Sequence, residues 1–139
     1  MTSAPIHEKH EETTWEKCTL RQYLNDDFLA DYFSETEAQR IALTQVVNDD
    51  HSKYGVLGSN DTEDRVFVLS RSKTYDYFKS NSERVAIYLD HADSWWLRSP
   101  SIDARGAAFV CDDGSIDTDG IDNYDNGVRP ALWLSLEHV

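Results

Sequence analysis

The sequence predicts an α+β domain, with two or three helices packed on a twisted antiparallel sheet. Three observations predict it. Helix signals come early and strand signals late, which suits segregated helices and strands better than alternating βαβ units. Of the 139 residues, 40% are hydrophobic and 12% aromatic, enough to build a core. Two apolar runs, Trp95-Trp96-Leu97-Arg98-Ser99-Pro100 and Gly127-Val128-Arg129-Pro130-Ala131-Leu132-Trp133-Leu134, each carry one Arg and one Pro. An Arg among Trp and Leu must be paired or hydrogen-bonded. Arg98 and Arg129 are therefore expected to be structural, clamping irregular backbone through carbonyls and each pairing with an Asp. The alternative is recognition of a carboxylate ligand.

Residues 1–13 read as a flexible polar tail and residues 14–139 as one domain. The tail holds His7, Glu8, His10, Glu11 and Glu12, a weak metal-binding composition. Thr19 and Gln22 are spaced as a capping box that starts a helix bearing Leu20, Tyr23, Leu24 and Phe28, with Asn25-Asp26-Asp27 breaking or bending it. Ser34 and Glu37 form a second box before a short helix with Ala38, Ile41 and Ala42. Leu43 to Val47 is strand-like, Asn48 to Asp64 a polar loop, and Val66 to Leu69 a short buried strand. Ser70 or Ser72 begins a helix with Tyr75, Tyr77 and Phe78. Val85 to Leu89 is ambiguous between helix and strand.

Trp95 to Leu97 is a strand whose pairing Pro100 ends. Ala107 to Cys111 and Ser115 to Asp117 pair across a three-residue turn, Asp112-Asp113-Gly114. Asp119-Gly120 signals a second turn. Val128 to Leu136 is the last strand, with Val128, Leu132, Leu134 and Leu136 on one face and Trp133 on the other. Adjacent Trp95 and Trp96 must face opposite sides of their strand. One is expected in the core, the other beneath a binding face where it could stack on a sugar or peptide.

Composition narrows the function classes. Thirteen basic against 26 acidic residues give a formal charge of −13, which argues against nucleic acid and anionic membranes as partners. No apolar run reaches the ~18 residues of a membrane helix, and no apolar signal core is apparent. A cytoplasmic or phage-associated location is the expectation. Cys18 and Cys111 have no zinc spacing, and free thiols or a disulfide both remain open. Cys18 precedes a helix start, where a thiolate is favoured.

The series Trp15-Glu16-x-Cys18-x-Leu20-Arg21-x-Tyr23-Leu24-Asn25, Phe28-Leu29, Phe33-Ser34, Arg40-Ile41, Val66-Phe67-Val68-Leu69-Ser70, Tyr77-Phe78, the Trp95 run, Gly114-x-Ile116 and the Gly127 run resembles the bacterial and phage domain family DUF6273 from Thr14 to Leu136. That resemblance implies a C-type-lectin-like fold, in the branch of formylglycine-generating enzymes and the variable receptors of diversity-generating retroelements. There a Gly-aliphatic-Arg motif, matched by Gly127-Val128-Arg129, opens the final strand. The face between the Trp95 and Val128 strands is then the ligand-binding face. Family members usually carry an upstream β-rich segment, replaced here by fourteen polar residues. The terminal strand is therefore expected to lack its usual neighbour, leaving an edge for a homodimer, a partner chain or a local rearrangement.

The expected function is non-catalytic recognition of a protein or glycan. Trp95, Trp96, Asp103, Asp117, Asp119, Asp122, Asn123, Tyr124, Asp125 and Asn126 are the candidate contacts, the last five resembling a paratope in composition. Calcium is the one candidate cofactor, with Asp117, Asp119 and Asp122 as ligands, which gives the alternative of a calcium-stabilised structural module. An oxidoreductase-like enzyme is the other alternative. Formylglycine-generating relatives use a reactive cysteine pair with copper, a pair that Cys18 and Cys111 do not match, and no catalytic residue is assigned.

Overall fold

The computed structural model describes residues 2–9, 13–48, 60–101, 105–120 and 126–136. They form a mixed α+β domain. Its centre is a five-stranded sheet of β1 (Thr2–Ser3), β6 (Trp95–Pro100), β7 (Gly106–Val110), β8 (Ile116–Gly120) and β9 (Gly127–Val128), in the order β1-β9-β6-β7-β8. Two small hairpins flank it: β2 (Thr44–Val46) with β3 (Thr62–Asp64), and β4 (Ala86–Tyr88) with β5 (His91–Asp93). Short helices α1 (Thr19–Asn25), α2 (Asp27–Tyr32), α3 (Glu35–Gln39), α4 (Arg71–Tyr77) and α5 (Asn81–Arg84) fill the remainder, five rather than the two or three expected.

The two arginine-bearing runs do lie side by side, but β9 runs parallel to β6, with Trp95 opposite Gly127. The sheet is therefore mixed, not wholly antiparallel as expected. It is also shorter at its last strand. Pairing within β9 stops at Val128 because Pro130 has no N–H to donate. Beyond it the chain makes isolated antiparallel bridges, Ala131 to Phe67 and Leu134 to Ile41. Val66, Phe67 and Val68 are buried as expected, yet Phe67 joins only that bridge, not a strand.

Residues 2–9 overturn the flexible tail. Thr2 pairs with Val128 and Ser3 with Gly127, so β1 covers the edge of β9 that was expected to be open. Ile6 is buried, the Ala4 carbonyl accepts from Trp96 Nε1 at 2.7 Å, and the Ile6 carbonyl accepts from the Leu20 amide at 3.0 Å. The segment is held by main-chain bonds that a polar composition does not advertise.

Local chemistry explains the helix ends. Ser34 and Glu37 close the reciprocal capping box, and Ser70 caps α4 by accepting from the Lys73 amide at 3.2 Å. The helix break falls at Asp26, between α1 and α2. Thr19 differs from expectation: it is the first residue of α1 behind Cys18, and its hydroxyl accepts from the Glu8 amide at 3.0 Å. The turn at 112–114 is as read from the sequence, with Gly114 at φ +87° and its amide donating to the Cys111 carbonyl at 2.9 Å. Asp119 and Gly120 are not a turn; they pair with Ala107 and Gly106 inside β8. Residues 62–64, taken as loop, form β3.

Side-chain alternation along β6 creates two cores. Trp96 faces a larger one with Trp15, Leu20, Leu24, Val66 and Val68. Trp95 faces a smaller one with Ala86, Leu97, Ala108 and Val110. Burial of one such side chain stabilises by about 1.5–3 kcal/mol.

Candidate functional site

The site grows out of Arg98. Its Nη1 donates to the Val68 carbonyl at 2.7 Å, its Nη2 to the Val47 carbonyl at 3.0 Å, and its Nε to Asn48 Oδ1 at 3.1 Å. One planar donor fork thus ties β6 to the end of β2 and to the segment before α4. This is the carbonyl clamp expected of a buried-run arginine. It props open a groove of about 890 Å³ between β2, the Phe67-to-Tyr77 stretch and the terminal segment Pro130–Trp133. That volume lies in the range of small-ligand and short-peptide sites.

Trp133 and Tyr77 are the exposed aromatic rings of the groove, at 54% and 49%. The Trp133 carbonyl accepts from the Ala42 amide at 2.8 Å, and the Ser135 amide donates to the Arg40 carbonyl at 2.7 Å, so the backbone beside the ring is pinned. Lys73 lies on the exposed side of α4 and lines the same groove. Among the described residues no hydrogen bond or ion pair engages its ammonium group. The described lining contains Lys73 and Arg98 and neither Asp nor Glu, in a chain with a formal charge of −13.

A second, apolar hollow of about 610 Å³ lies between the N-terminal segment and α1–α2, lined by Pro5, Leu20, Tyr23, Phe28, Tyr32 and Val128.

Arg129 behaves differently from Arg98. Its guanidinium carbon stacks 4.6 Å from the Trp95 ring centroid and 5.8 Å from that of Phe78. Its Nη1 is buried without a hydrogen-bond partner, and burial lowers the pKa of the group. The Asp partner expected for Arg129 is absent among the described residues; aromatic faces take its place. A third arginine, Arg84, is buried and donates to the carbonyls of Gly114 and Phe78, both at 2.8 Å, and to Asn81 Oδ1.

A family model described as "Domain of unknown function (DUF6273)" matches residues 2–136. The chain belongs to the DUF6273 family. The match takes in β1 and all of the groove, so the N-terminal segment is part of the DUF6273 domain and not an appendage to it. No curated protein and no solved structure matches the chain.

Several expected contacts of this DUF6273 domain are corrected. Trp95 and Trp96 are 1% and 0% exposed, so neither offers a ring to a ligand. Their indole N–H groups are also spent, Trp95 on the Arg84 carbonyl at 3.1 Å and Trp96 on the Ala4 carbonyl. Asn126 is 2% exposed rather than part of a displayed loop. Its Oδ1 accepts from Ser94 Oγ at 2.6 Å and its carbonyl from the Ala4 amide at 3.2 Å, while its Nδ2 is buried without a partner. Asp117 is exposed on β8, and Asp119 is placed on β8 by its backbone pairing. Asp103, Asp122, Asn123, Tyr124 and Asp125 lie outside the described residues, as does the proposed calcium ligand set that depends on Asp122. Of the tail metal candidates, His10, Glu11 and Glu12 lie there too, and His7 is buried. Among the described residues no three His, Cys, Asp or Glu come together as a metal site, and no helix is long and apolar enough to cross a membrane.

Both thiols are free. Cys18 is fully buried, and desolvation pushes its pKa up to about 12, the reverse of the activation expected near a helix start. Its Sγ donates to the Trp15 carbonyl at 3.3 Å, a packing role.

The groove residues Lys73, Tyr77 and Trp133 were not among the sequence-derived contacts. A signal existed for Trp133, which alternation sets opposite the buried side chains of the last run. Tyr75 and Tyr77 offered another, since a helix of seven residues cannot bury two tyrosines and a phenylalanine on one face.

Proposed function

We propose that this DUF6273 domain is a non-catalytic recognition module for a polypeptide or glycan ligand. The observation that carries the reading is the groove beside the terminal segment, where half-exposed Trp133, its backbone pinned by the Ala42 and Arg40 bonds, and half-exposed Tyr77 on α4 flank the wall held by the Arg98 clamp. Rigid aromatic rings give contact area at low conformational-entropy cost. A supporting framework that is already hydrogen-bonded needs little ordering when a ligand arrives. The groove replaces the acidic loops as the principal contact surface, with exposed Asp117 and the 122–125 stretch as secondary contacts.

The C-type-lectin-like comparison belongs to the same proposal. It is supported by β9 lying beside β6 with Gly127-Val128-Arg129 at its start, and by first and last strands paired in one sheet.

The test is an NMR titration of the labelled domain with a panel of short peptides and neutral oligosaccharides at millimolar concentration, read at the Trp133 indole N–H and the Lys73 and Val47 amides. Ligands that move these three signals together in the wild type, and lose at least about tenfold in affinity (~1.4 kcal/mol) in Trp133→Ala, support the module. A panel that leaves the groove signals still, or shifts only distant residues, removes the proposal.

A further inference from the structure

The chemistry of the groove narrows its ligand, on the reading that the groove is the recognition surface. Its described lining holds cations and no carboxylate, beside Thr44, Gln45, Ser70, Ser72 and Tyr77, which can donate or accept. Lys73 brings an ammonium group, Arg98 a fixed guanidinium, and Gln45 an amide; no carboxylate lies among them. Neutral sugars present arrays of hydroxyl groups whose protons need acceptors, which carboxylates and amide oxygens supply best. A lining with cations and no described carboxylate is better matched by a ligand that carries negative charge. The apolar part, Leu69, Leu132 and the rings of Tyr77 and Trp133, calls for an aliphatic or aromatic side chain next to them.

The charge pattern is local and opposes the whole. The chain carries −13 formally, whereas this groove carries two cations in its described lining. Exposed charges beyond about 8–10 Å are largely screened at ordinary salt, so the lining sets the potential that a docked ligand feels. Exposed Asp76, three residues from Lys73 on α4, belongs to that local field too and weakens it.

We propose that the groove takes an acidic stretch of a partner polypeptide, with a carboxylate against Lys73 and a neighbouring apolar side chain against Trp133 and Tyr77. Arg98 adds fixed positive charge at the wall, and its hydrogen bonds hold it there.

Two measurements test this. Trp15, Trp95 and Trp96 are buried, so Trp133 is the tryptophan open to quenchers, and Trp133→Phe removes the accessible signal. At a constant ionic strength of about 0.15 M, the iodide-to-caesium quenching ratio should exceed that of free N-acetyltryptophanamide by at least about twofold, and Lys73→Glu should bring it below that reference. A wild-type ratio at or below the reference, the result that the net charge alone predicts, overturns the proposal. The second measurement titrates acetyl-Asp-Glu-Leu-Leu-amide, its Asn-Gln counterpart and hexagalacturonate while following the Trp133 indole N–H. The acidic peptide should bind at least about tenfold tighter than the amide peptide and lose that margin in Lys73→Gln. Equal binding of the two peptides, or tighter binding of the anionic sugar, overturns the acidic-peptide assignment and leaves the groove as a recognition surface. Absence of any groove shift with the acidic peptide overturns the assignment as well. Binding that moves only signals outside the groove defeats the underlying reading too.

Discussion

On the Trp96 face of the central sheet, the core is closed around a buried carboxylate. Asp64 accepts from Trp15 Nε1 at 2.9 Å, Thr62 Oγ1 at 2.7 Å and Arg21 Nε at 2.6 Å. On the Trp95 face, the cover is cationic and aromatic. Arg129 stacks on Trp95 and Phe78, Arg84 lies 5.1 Å from the Tyr75 ring centroid, and Arg84 satisfies its donors on carbonyls and an amide oxygen. Both faces bury a tryptophan of the same strand, yet one orders its surroundings through a shared acceptor and the other through ring faces. The first arrangement is sensitive to loss of any partner. On the second, the stacked Arg129 should tolerate exchange, because ring faces ask for no matched acceptor, whereas Arg84 keeps matched ones.

The largest effect should come from emptying the acceptor. Asp64→Ala leaves Arg21 Nε, the Trp15 indole N–H and the Thr62 hydroxyl without their shared acceptor, while Arg21 Nη1 keeps the Glu16 carbonyl, and should cost about 3–5 kcal/mol in urea unfolding. A loss below about 1 kcal/mol would show that the carboxylate does not organise that face. Gly114 comes next. A Cβ there would sit 1.8 Å from the Asn81 carbonyl oxygen, at φ +87°. Gly114→Ala should therefore destabilise by about 2 kcal/mol and loosen the Arg84 cover, seen as broadened amides in α5.

The two strand arginines sharpen the contrast directly. Arg98→Met forfeits three hydrogen bonds and should cost about 2 kcal/mol. Arg129→Met exchanges a stacked cation with an unpartnered Nη1 for an apolar chain and should change stability by less than about 1 kcal/mol in either direction. Equal losses at the two positions would erase the distinction between the faces.

The smallest effect is in pH. Hydrogen bonds from the Ser115 side chain, then its backbone, lower the Asp113 pKa below the ordinary 3.8. A lowered carboxylate stabilises the fold above its ordinary value and loses that contribution as pH falls through the folded value. Asp113→Asn should therefore flatten the acid end of the stability profile and leave neutral pH nearly unchanged. A steeper acid limb in the variant would contradict the sign.

Much of this architecture is written locally. The Ser34–Glu37 box, the break at Asp26, the Gly114 turn and the opposed tryptophans follow from spacing and side-chain chemistry alone. What escaped the sequence was set by tertiary bonding. Thr2 and Ser3 become strand because β9 offers them an unpaired edge, not because of their own propensity. Thr19 looks like a cap, but its hydroxyl is taken by the Glu8 amide across the fold. The expected exposure of a Trp95 or Trp96 ring failed for a related reason. Trp95 and Trp96 carry the strongest sequence signal and are buried for that very reason, while Trp133 is held at the surface by main-chain bonds that composition cannot reveal.

The pairing of Thr2 with Val128 has a consequence for how the chain is made. Within this domain β1 is made long before β9, its pairing partner, and neither edge can be secured until both have left the ribosome. Until then Ile6 and the Trp96 indole lack their final cover, and the domain holds exposed apolar surface until β9 emerges. Translation speed and chaperone supply should therefore govern the yield of native product more than they do for a helical bundle of equal length.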